Sequence, residues 1–373
     1  MRVPRKQALI SGAGFAGLST AYWLRRLGYS VTVVEAAPSL RTGGTAVNIR
    51  EGTIEVVKRM GLFAEISANR LSLERWELKD ANDVTQRSLV IRAPGAPQPD
   101  DDFEIERDVL LGLLFDLVKH DVQFVFGERI AALHETGDGV EVTFARRAPE
   151  TFDLVFGCDG MHSSVRRLVF GAEAQFTHFL QQYFSITIVD TLLIERNTAQ
   201  LFNVPGKAVM LNAYKNRTDV IFGFVSEQEL PYRRDEAQQR QLIARQFEGV
   251  GWRTRELLAE VARSNSFYFD QLAQVRMPAW SRGRVVLVGD SAYCPSPAAG
   301  MGGSMALDGA AALADAMAQH PDDFTRAFRV YDETLRPFVE RVQAEAVRTG
   351  LETLVPRTEE AIRARNERRD GGF

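Results

Sequence analysis

The sequence predicts an α/β chain in which a parallel-sheet domain is interleaved with a second, strand-rich sheet domain and closed by C-terminal helices. Three observations carry this. Residues 8–35 read as a complete strand–helix–strand unit with glycines at its first turn. Residues 183–226 alternate in strand fashion through YFSITIVD, AQLFNV, AVMLNAY and DVIFGFVS. Residues 285–310, VVLVGDSAYCPSPAAGMGGSMALDGA, end an apolar strand at Gly289-Asp290, pass through prolines and glycines, and then turn alanine-rich and helical. A length of 373 residues suffices for one large domain or two intimate ones, and 45% apolar with 25% charged residues is ordinary for a soluble chain.

Composition closes off several functions. A net charge of −4 leaves no basic excess to neutralise phosphates, so no nucleic-acid partner is expected. No apolar run reaches the roughly eighteen residues of a membrane span, so no membrane association is expected. The apolar run near the N-terminus is too short for a signal-peptide core and passes straight into a glycine motif, which points to a cytoplasmic protein. Cys158 and Cys294 are too few for a zinc site or a disulfide framework and read as small residues of a reduced interior. The five histidines show no ligand spacing, so no metal is expected.

Residues 8–17, ALISGAGFAG, place Gly12, Gly14 and Gly17 in GxGxxG spacing behind a short strand. The continuation reads as an amphipathic helix, with Leu18, Ala21, Tyr22 and Leu24 on one face and Gly28 as its stop. VTVVE, residues 31–35, is a β-branched strand ending in an acid. Gly12 permits the tight turn, Gly14 lets the backbone approach a pyrophosphate, and Gly17 lets helix and strand pack closely. The helix N-terminus faces the phosphates, and Glu35 can accept hydrogen bonds from an adenosine ribose. The adenosine half of FAD or NAD is therefore expected here, and the motif by itself does not choose between them. Gly43-Gly44 marks a loop, and Arg41 ahead of it is placed for a phosphate, a nicotinamide nucleotide or solvent.

Farther on, a helix is expected over 50–66, and strands over 72–80 and 84–92 joined by a turn at Ala81-Asn82-Asp83. Residues 93–102 are loop by composition, and an apolar helix over 105–118 opens with Arg107. VQFVFG, IAALHET and VEVTFAR read as antiparallel strands. FDLVFGCDGMHSSVRR, residues 152–167, is again an apolar strand followed by glycines, an acid at Asp159 and basic residues, with Ser163 suited to cap a helix. In the strands of 183–226, aromatic and small polar residues suggest a sheet with one face on a cavity. Helices are expected over 234–248, 253–263, 305–320 and most of 324–354, with a kink at Pro337, and then a solvated tail or frayed helix.

GAGFAG with Glu35, GCDGMHSSVR and GDSAYCPSPAAGMGG together resemble the group A flavoprotein monooxygenases, which share the p-hydroxybenzoate hydroxylase fold. Within them the chain is similar to the compact type that includes tetracycline-inactivating and aromatic polyketide hydroxylases. Arg107, in the order R-x-x-L-x-x-x-L, is similar to the arginine such enzymes place near the flavin phosphates. The resemblance implies a Rossmann-like FAD-binding domain of residues 1–71, 93–172 and 273–320. It also implies a substrate-binding sheet domain of 72–92 and 173–272, and a C-terminal helix and tail over 321–373.

By the same resemblance, FAD would be held by Gly12, Gly14, Ala16, Gly17, Glu35, Arg41 and Arg107, with Asp159 near the pyrophosphate. Asp290 would accept from the ribityl chain, and Pro297, Gly300, Met301, Gly302 and Gly303 would run beneath the isoalloxazine, where Cβ atoms would clash. The helix starting near Gly302 would aim its N-terminus at the flavin edge that carries negative charge on reduction. No second GxGxxG occurs, so NADPH or NADH would reduce a ring that swings outward to meet it. O2 would add at C4a, and the hydroperoxide would hydroxylate an aromatic or enolisable small molecule such as a polyketide. The flavin supplies that chemistry, so no catalytic residue is assigned. Substrate contacts are expected from Tyr183, Ser185, Thr187, Asn212, Tyr214 and Phe222, in a monomer or weak dimer.

Three positions depart from the pattern. Tyr293 stands where a histidine is usual and Ser304 where an asparagine often stands. ALDGA puts Asp308 one position early and Gly309 in the acid's place. Two other readings stay open: a non-redox cyclase or ligand-binding protein that keeps FAD structurally, and a flavin halogenase. The tryptophan-rich W-x-W-x-I signature of the halogenases is absent, since Trp23, Trp76, Trp252 and Trp280 are isolated.

Overall fold

Strand Gln7–Ser11 lies inside a six-stranded sheet in the computed structural model, which describes residues 6–41, 43–50, 52–93, 102–230 and 235–367. The order is Ser281–Arg282, Val285–Leu287, Leu154–Gly157, Gln7–Ser11, Ser30–Glu35, Gln123–Phe126. All neighbours are parallel except the edge pair Ser281–Arg282 with Val285–Leu287. The three apolar runs marked in the sequence thus lie side by side, Val285–Leu287 against Leu154–Gly157 and Leu154–Gly157 against Gln7–Ser11. Parallel strands covered on both faces need continuous apolar runs, and Leu9, Ile10, Val33, Val155, Phe156 and Val286 are fully buried. Helices Phe15–Arg26 and Gly302–Gln319 pack on each other, and Phe324–Glu345 packs on the latter.

Several expectations are corrected. Gln123–Phe126 is not part of an antiparallel set. It pairs parallel with Ser30–Glu35, because helix Arg107–Asp116 makes it the return of a crossover. Ile130–Glu135 and Val140–Phe144 are antiparallel, as expected, and form a small sheet with Glu150–Phe152. The helix expected over 50–66 is two helices, Gly52–Arg59 and Phe63–Ala68, separated where Gly61 adopts φ +77°. A three-stranded sheet of Val47–Arg50, Asp102–Ile105 and Arg70–Leu71 was not anticipated.

The second large sheet has seven strands, ordered Phe267–Val275, Thr177–Val189, Arg217–Val225, Lys207–Tyr214, Thr198–Val204, Arg75–Lys79, Thr85–Val90. Phe267–Val275 was also missed, and it runs across the domain boundary expected at 272. Helices Glu236–Gln246 and Thr254–Arg263 cover one face, where Ile243, Phe247, Leu257 and Val261 bury Tyr183, Phe222, Phe224 and Phe269. The other face turns toward the six-stranded domain.

Helix Phe324–Glu345 continues through Pro337, and its regularity changes later, in a single π-helical turn at Ala346–Gly350. The expected tail is a docked helix, Glu359–Glu367, in which Arg365 donates to Asn203 Oδ1 at 2.7 Å and to the Thr353 carbonyl at 2.9 Å. The loop over 93–102, apart from its two ends, the first residue of the helix expected over 234–248, and residues 368–373 lie outside the described residues. Among the described residues no helix is long and apolar enough to cross a membrane.

Candidate functional site

The glycine turn is built on close approach. Gly12, at φ +103°, donates to the Val34 carbonyl at 2.8 Å, and a Cβ there would lie 2.5 Å from the Cys158 carbonyl oxygen. A Cβ on Gly17 would overlap the Gly12 carbonyl oxygen outright. Gly14 differs, since its Cβ would meet nothing within 4 Å. Two glycines therefore close the turn on protein, and the third leaves backbone bare toward open space, which fits a pyrophosphate. Ala16 is 8% exposed and meets Gly289, where a Cβ would come within 2.9 Å of the Ala16 methyl.

Glu35, at the end of its strand, is buried and accepts from Ala13 N through Oε2 and from Ala37 N through Oε1, each at 2.9 Å. A carboxylate has about four lone-pair sites, so capacity for ribose hydroxyls remains. Arg41 is mostly exposed at the rim, with Nε 3.6 Å from Glu35 Oε1. Glu35→Ala is expected to weaken FAD binding about ten- to a hundredfold, because hydrogen bonds to a charged group contribute roughly 1.5–3 kcal/mol. Titration of apoprotein with FAD, alongside far-UV circular dichroism, checks this. Parental affinity would make Glu35 solely a brace of the turn.

Arg107 opens its helix and lies over the Phe15 ring, with its guanidinium carbon 5.3 Å from the centroid. It donates to the Arg41 and Gly43 carbonyls at 3.2 Å each. Burial lowers its pKa, while Asp108, Tyr268 and Asp290 act in the opposite sense. A cation held over the first turn of the glycine-motif helix suits a phosphate contact. Asp159 lies beside the same turn, but its carboxylate faces its own chain: it accepts from Ser164 N at 2.8 Å, Ser164 Oγ at 2.7 Å and Val165 N at 3.1 Å, and from Ser163 Oγ. Ser163 caps helix Ser164–Val169 by accepting from Arg166 N. Asp159 thus shapes the turn from within.

Asp290 follows Gly289, which adopts φ +72°. Burial raises its carboxyl to about 6, while the Cys294 thiol and Arg107 pull it down. Hydroxyls donated by a ribityl chain would favour the charged form further. Asp290 lines an open cleft with Pro297, Gly302, Met161, Phe184, Tyr268 and others. Pro297–Ala299 is a single tight helical turn between two left-handed residues, Ser296 (φ +81°) and Gly300 (φ +63°). Helix Gly302–Gln319 starts at the cleft behind Met301, and a Cβ on Gly302 would meet nothing within 4 Å. Gly303 is packed, facing Val47 and Phe15. Bare backbone at Gly14 and Gly302, Asp290 between them and Arg107 alongside together fit a long, flat dinucleotide such as FAD.

The departures have local causes. The Tyr293 ring packs on Trp280 at 4.5 Å between centroids, and its hydroxyl meets Tyr331 Oη at 3.0 Å. A Cβ on Gly309 would lie 3.0 Å from Tyr293 Cζ and overlap the hydroxyl, so the tyrosine and the glycine compensate each other. Ser304 Oγ donates to the Asn48 carbonyl at 2.9 Å, and Thr53 Oγ1 donates to Asp308 Oδ2 at 2.9 Å.

The six substrate candidates divide between the two faces of their sheet. Tyr183, Ser185, Thr187 and Phe222 point to the helix-covered face, through the pairs Tyr183↔Phe224, Ser185↔Phe222 and Thr187↔Val220. Tyr183 stacks on Phe224 and Phe269, and its hydroxyl accepts from Leu230 N. These four are corrected to interior residues of the sheet, because strand alternation does not say which face meets the cavity. Asn212 and Tyr214 share the opposite face, where the Tyr214 hydroxyl donates to Asp219 at 2.9 Å and accepts from Arg217 at 3.0 Å. Glu104, opposite Asn48 in its ladder, is raised to about 7, by burial first and by Asp219 second.

Cleft residues absent from the sequence reading are Phe184, Tyr268, Asp270 and Gln271. Three of them lie on the missed strand FYFDQLAQV, whose alternation of aromatic and polar residues was the available signal. Tyr268 donates to Asp270 Oδ2 at 2.9 Å. His162 sits between two carboxylates, with Nε2 3.5 Å from Asp270 and Nδ1 2.6 Å from Glu173. Those acids, Asp270 first, raise it to about 9, so an imidazolium bridges the 158–164 loop and the seven-stranded sheet at neutral pH.

A family profile described as "FAD binding domain" matches residues 5–346. A protein of Mycobacterium tuberculosis is 40% identical over 345 residues, covering 91% of this chain and 92% of its own. A flavin-dependent monooxygenase of Legionella longbeachae is 35% identical, over 90% of this chain and 86% of its own. The crystal structure of tetracycline destructase Tet(51) superposes with a TM-score of 0.87 at 35% identity, covering 97% of this chain and 95% of that one.

Proposed function

Because this chain belongs to the FAD binding domain family and is an FAD-dependent monooxygenase, we propose that NADPH or NADH supplies its electrons and that it hydroxylates an aromatic or enolisable small molecule. Bound FAD supplies electron storage and the activation of O2, one atom of which enters the substrate while the other leaves as water. The residues of the chain bind, orient and exclude. Gly12, Gly14 and Glu35 hold the adenosine half, Arg107 neutralises phosphate charge, and Asp290 accepts from the ribityl hydroxyls. The N-terminus of helix Gly302–Gln319 stabilises negative charge at the ring edge.

The observation that carries this reading is the cleft itself, lined by Pro297 and the bare backbone of Gly302 and by the aromatic rings of Phe184 and Tyr268. A flat ring fits between such walls. The sequence holds a single dinucleotide motif, which supports a nicotinamide donor that meets the ring transiently. The likeness to a tetracycline destructase supports a fused-ring polyketide as the substrate class. Purified protein is expected to be yellow and to release FAD on denaturation. NADPH oxidation in air is expected to rise with tetracycline or a phenol, and the product to gain one oxygen atom by mass spectrometry. Colourless protein that refuses FAD would remove the reading. FAD-loaded protein that converts substrate with no change of mass and no NADPH use would shift it to the non-redox alternative.

A further inference from the structure

The segment beneath the cleft is held in an unfavourable shape. Ser296 is a non-glycine residue at φ +81°, 2% exposed, and it is followed within four residues by Gly300 at φ +63°. Backbone of this kind persists only where its surroundings over-determine it, and such sites collect at functional centres. Locally, Ala299 N donates to the Ser296 carbonyl and Gly300 N to the Pro297 carbonyl at 3.0 Å each, Ser296 Oγ accepts from Ala298 N at 3.3 Å, and Asn48 Nδ2 donates to the Gly300 carbonyl at 3.4 Å.

The remaining support comes from buried residues that do not line the cleft. Gln343, on the long C-terminal helix, donates through Nε2 to the Val275 carbonyl at 2.8 Å and the Cys294 carbonyl at 3.2 Å, with the Tyr293 carbonyl at 3.4 Å. Gln274 donates to the Gln343 carbonyl at 2.7 Å and the Pro295 carbonyl at 3.1 Å. Its amide orientation is fixed because Oε1 accepts from Arg276 at 2.6 and 3.1 Å. One turn beyond Gln343 the helix widens into its π-turn, and Gly350 at the end of that turn reaches Ala298. A Cβ on Gly350 would lie 3.2 Å from the Ala298 carbonyl carbon and closer still to its oxygen. Turns of this type are frequent at functional sites. The C-terminal helix therefore grips residues 293 and 294 by hydrogen bonds and residue 298 by backbone contact, on either side of Ser296, while Gln274 on strand Phe267–Val275 holds residue 295.

We propose that Gln343, Gln274 and Gly350 are positioning residues for the flavin ring: a C-terminal brace that fixes Ser296–Gly300 from outside the cleft. This rests on the reading that residues 297–303 lie against the ring. Gln343→Met keeps the length of the side chain and removes its donors. It is expected to weaken FAD binding to apoprotein about tenfold, since buried carbonyls lose their partners. Affinity for ADP, which needs the cradle from Gly12 to Glu35 and the phosphate contact of Arg107 but no ring segment, is expected to stay at the parental value. The visible circular dichroism of bound flavin is expected to change, because it reports the asymmetry around the ring. Gly350→Ala is expected to act in the same direction.

Val342→Ala, in the same helix but packed in the main core, is the control. It is expected to lower the thermal midpoint of the apoprotein without altering the ratio of FAD to ADP affinity. The proposal is overturned if Gln343→Met weakens FAD and ADP equally, or if it leaves FAD affinity and the flavin dichroism parental. Should Gln343→Met not fold, Gly350→Ala carries the same comparison. A parent protein that binds ADP but no FAD would instead strike the cofactor reading itself.

Discussion

Gly309→Ala is expected to destabilise the protein severely, and Tyr293→Phe in the same chain is expected to restore much of the loss. The added methyl would lie 3.0 Å from Tyr293 Cζ and overlap the hydroxyl. The phenol cannot retreat, since Trp280 covers its ring and Tyr331 Oη stands 3.0 Å from its oxygen, both fully buried. Overpacking of this kind costs about 3 kcal/mol, and a shift of several degrees in the thermal midpoint follows. Tyr293→Phe alone loses one hydrogen bond, about 1 kcal/mol. In the double variant that loss replaces the clash, so the two changes combine to less than their sum. Thermal unfolding of the two single variants and the double one measures this. Strict additivity would mean that the tyrosine and glycine are not compensating departures.

Gly300→Val is expected to slow reduction of bound FAD by NADPH at least tenfold while leaving ADP affinity parental. Gly300 sits at φ +63°, where a β-branched residue is a severe outlier. The loop would have to rotate, and it would lose the bond from Asn48 to the Gly300 carbonyl. The adenosine cradle, built from Gly12 to Glu35, shares no atom with this loop. Stopped-flow reduction and separate titrations with FAD and ADP test the split. Reduction at the parental rate would show that residues 297–303 do not lie against the ring.

The nucleotide-binding unit was legible because its glycines have distinct spatial duties that only one backbone arrangement requires. Gly12 and Gly17 face backbone and Gly14 faces space, which is the division the motif implies. Most strands of the second sheet were legible from alternation, but their order and the orientation of the sheet were not. Alternation fixes that Tyr183 and Phe184 point to opposite faces, whereas the partner of each face depends on where helices Glu236–Gln246 and Thr254–Arg263 dock. The same limit applies to Tyr293. Its departure was visible, but its match to Gly309 becomes visible only when one helical turn is laid on another. Gln274 and Gln343 carried no signal at all, because an isolated glutamine in an amphipathic pattern reads as surface until its burial is seen. The parallel pairing of Gln123–Phe126 follows from its connection, since a helix leading from one sheet strand to the next usually returns it parallel.

The sheet order also sets a timetable for synthesis. The adenosine cradle is complete by residue 35, yet the central strand Gln7–Ser11 waits for Leu154–Gly157, and that strand waits for Val285–Leu287. At about 5–20 residues per second, the ribosome takes roughly ten to fifty seconds to deliver those last 250 or so residues. Through that interval a nascent parallel sheet presents an unpaired apolar edge, a template on which another chain can align. The cofactor offers no early relief, because Asp290 and the segment after it emerge last but for the C-terminal helices. Its stabilising mass action therefore reaches only finished chains. Recovery of active protein is therefore expected to depend on how the growing polypeptide is shielded as well as on how stable the completed one is.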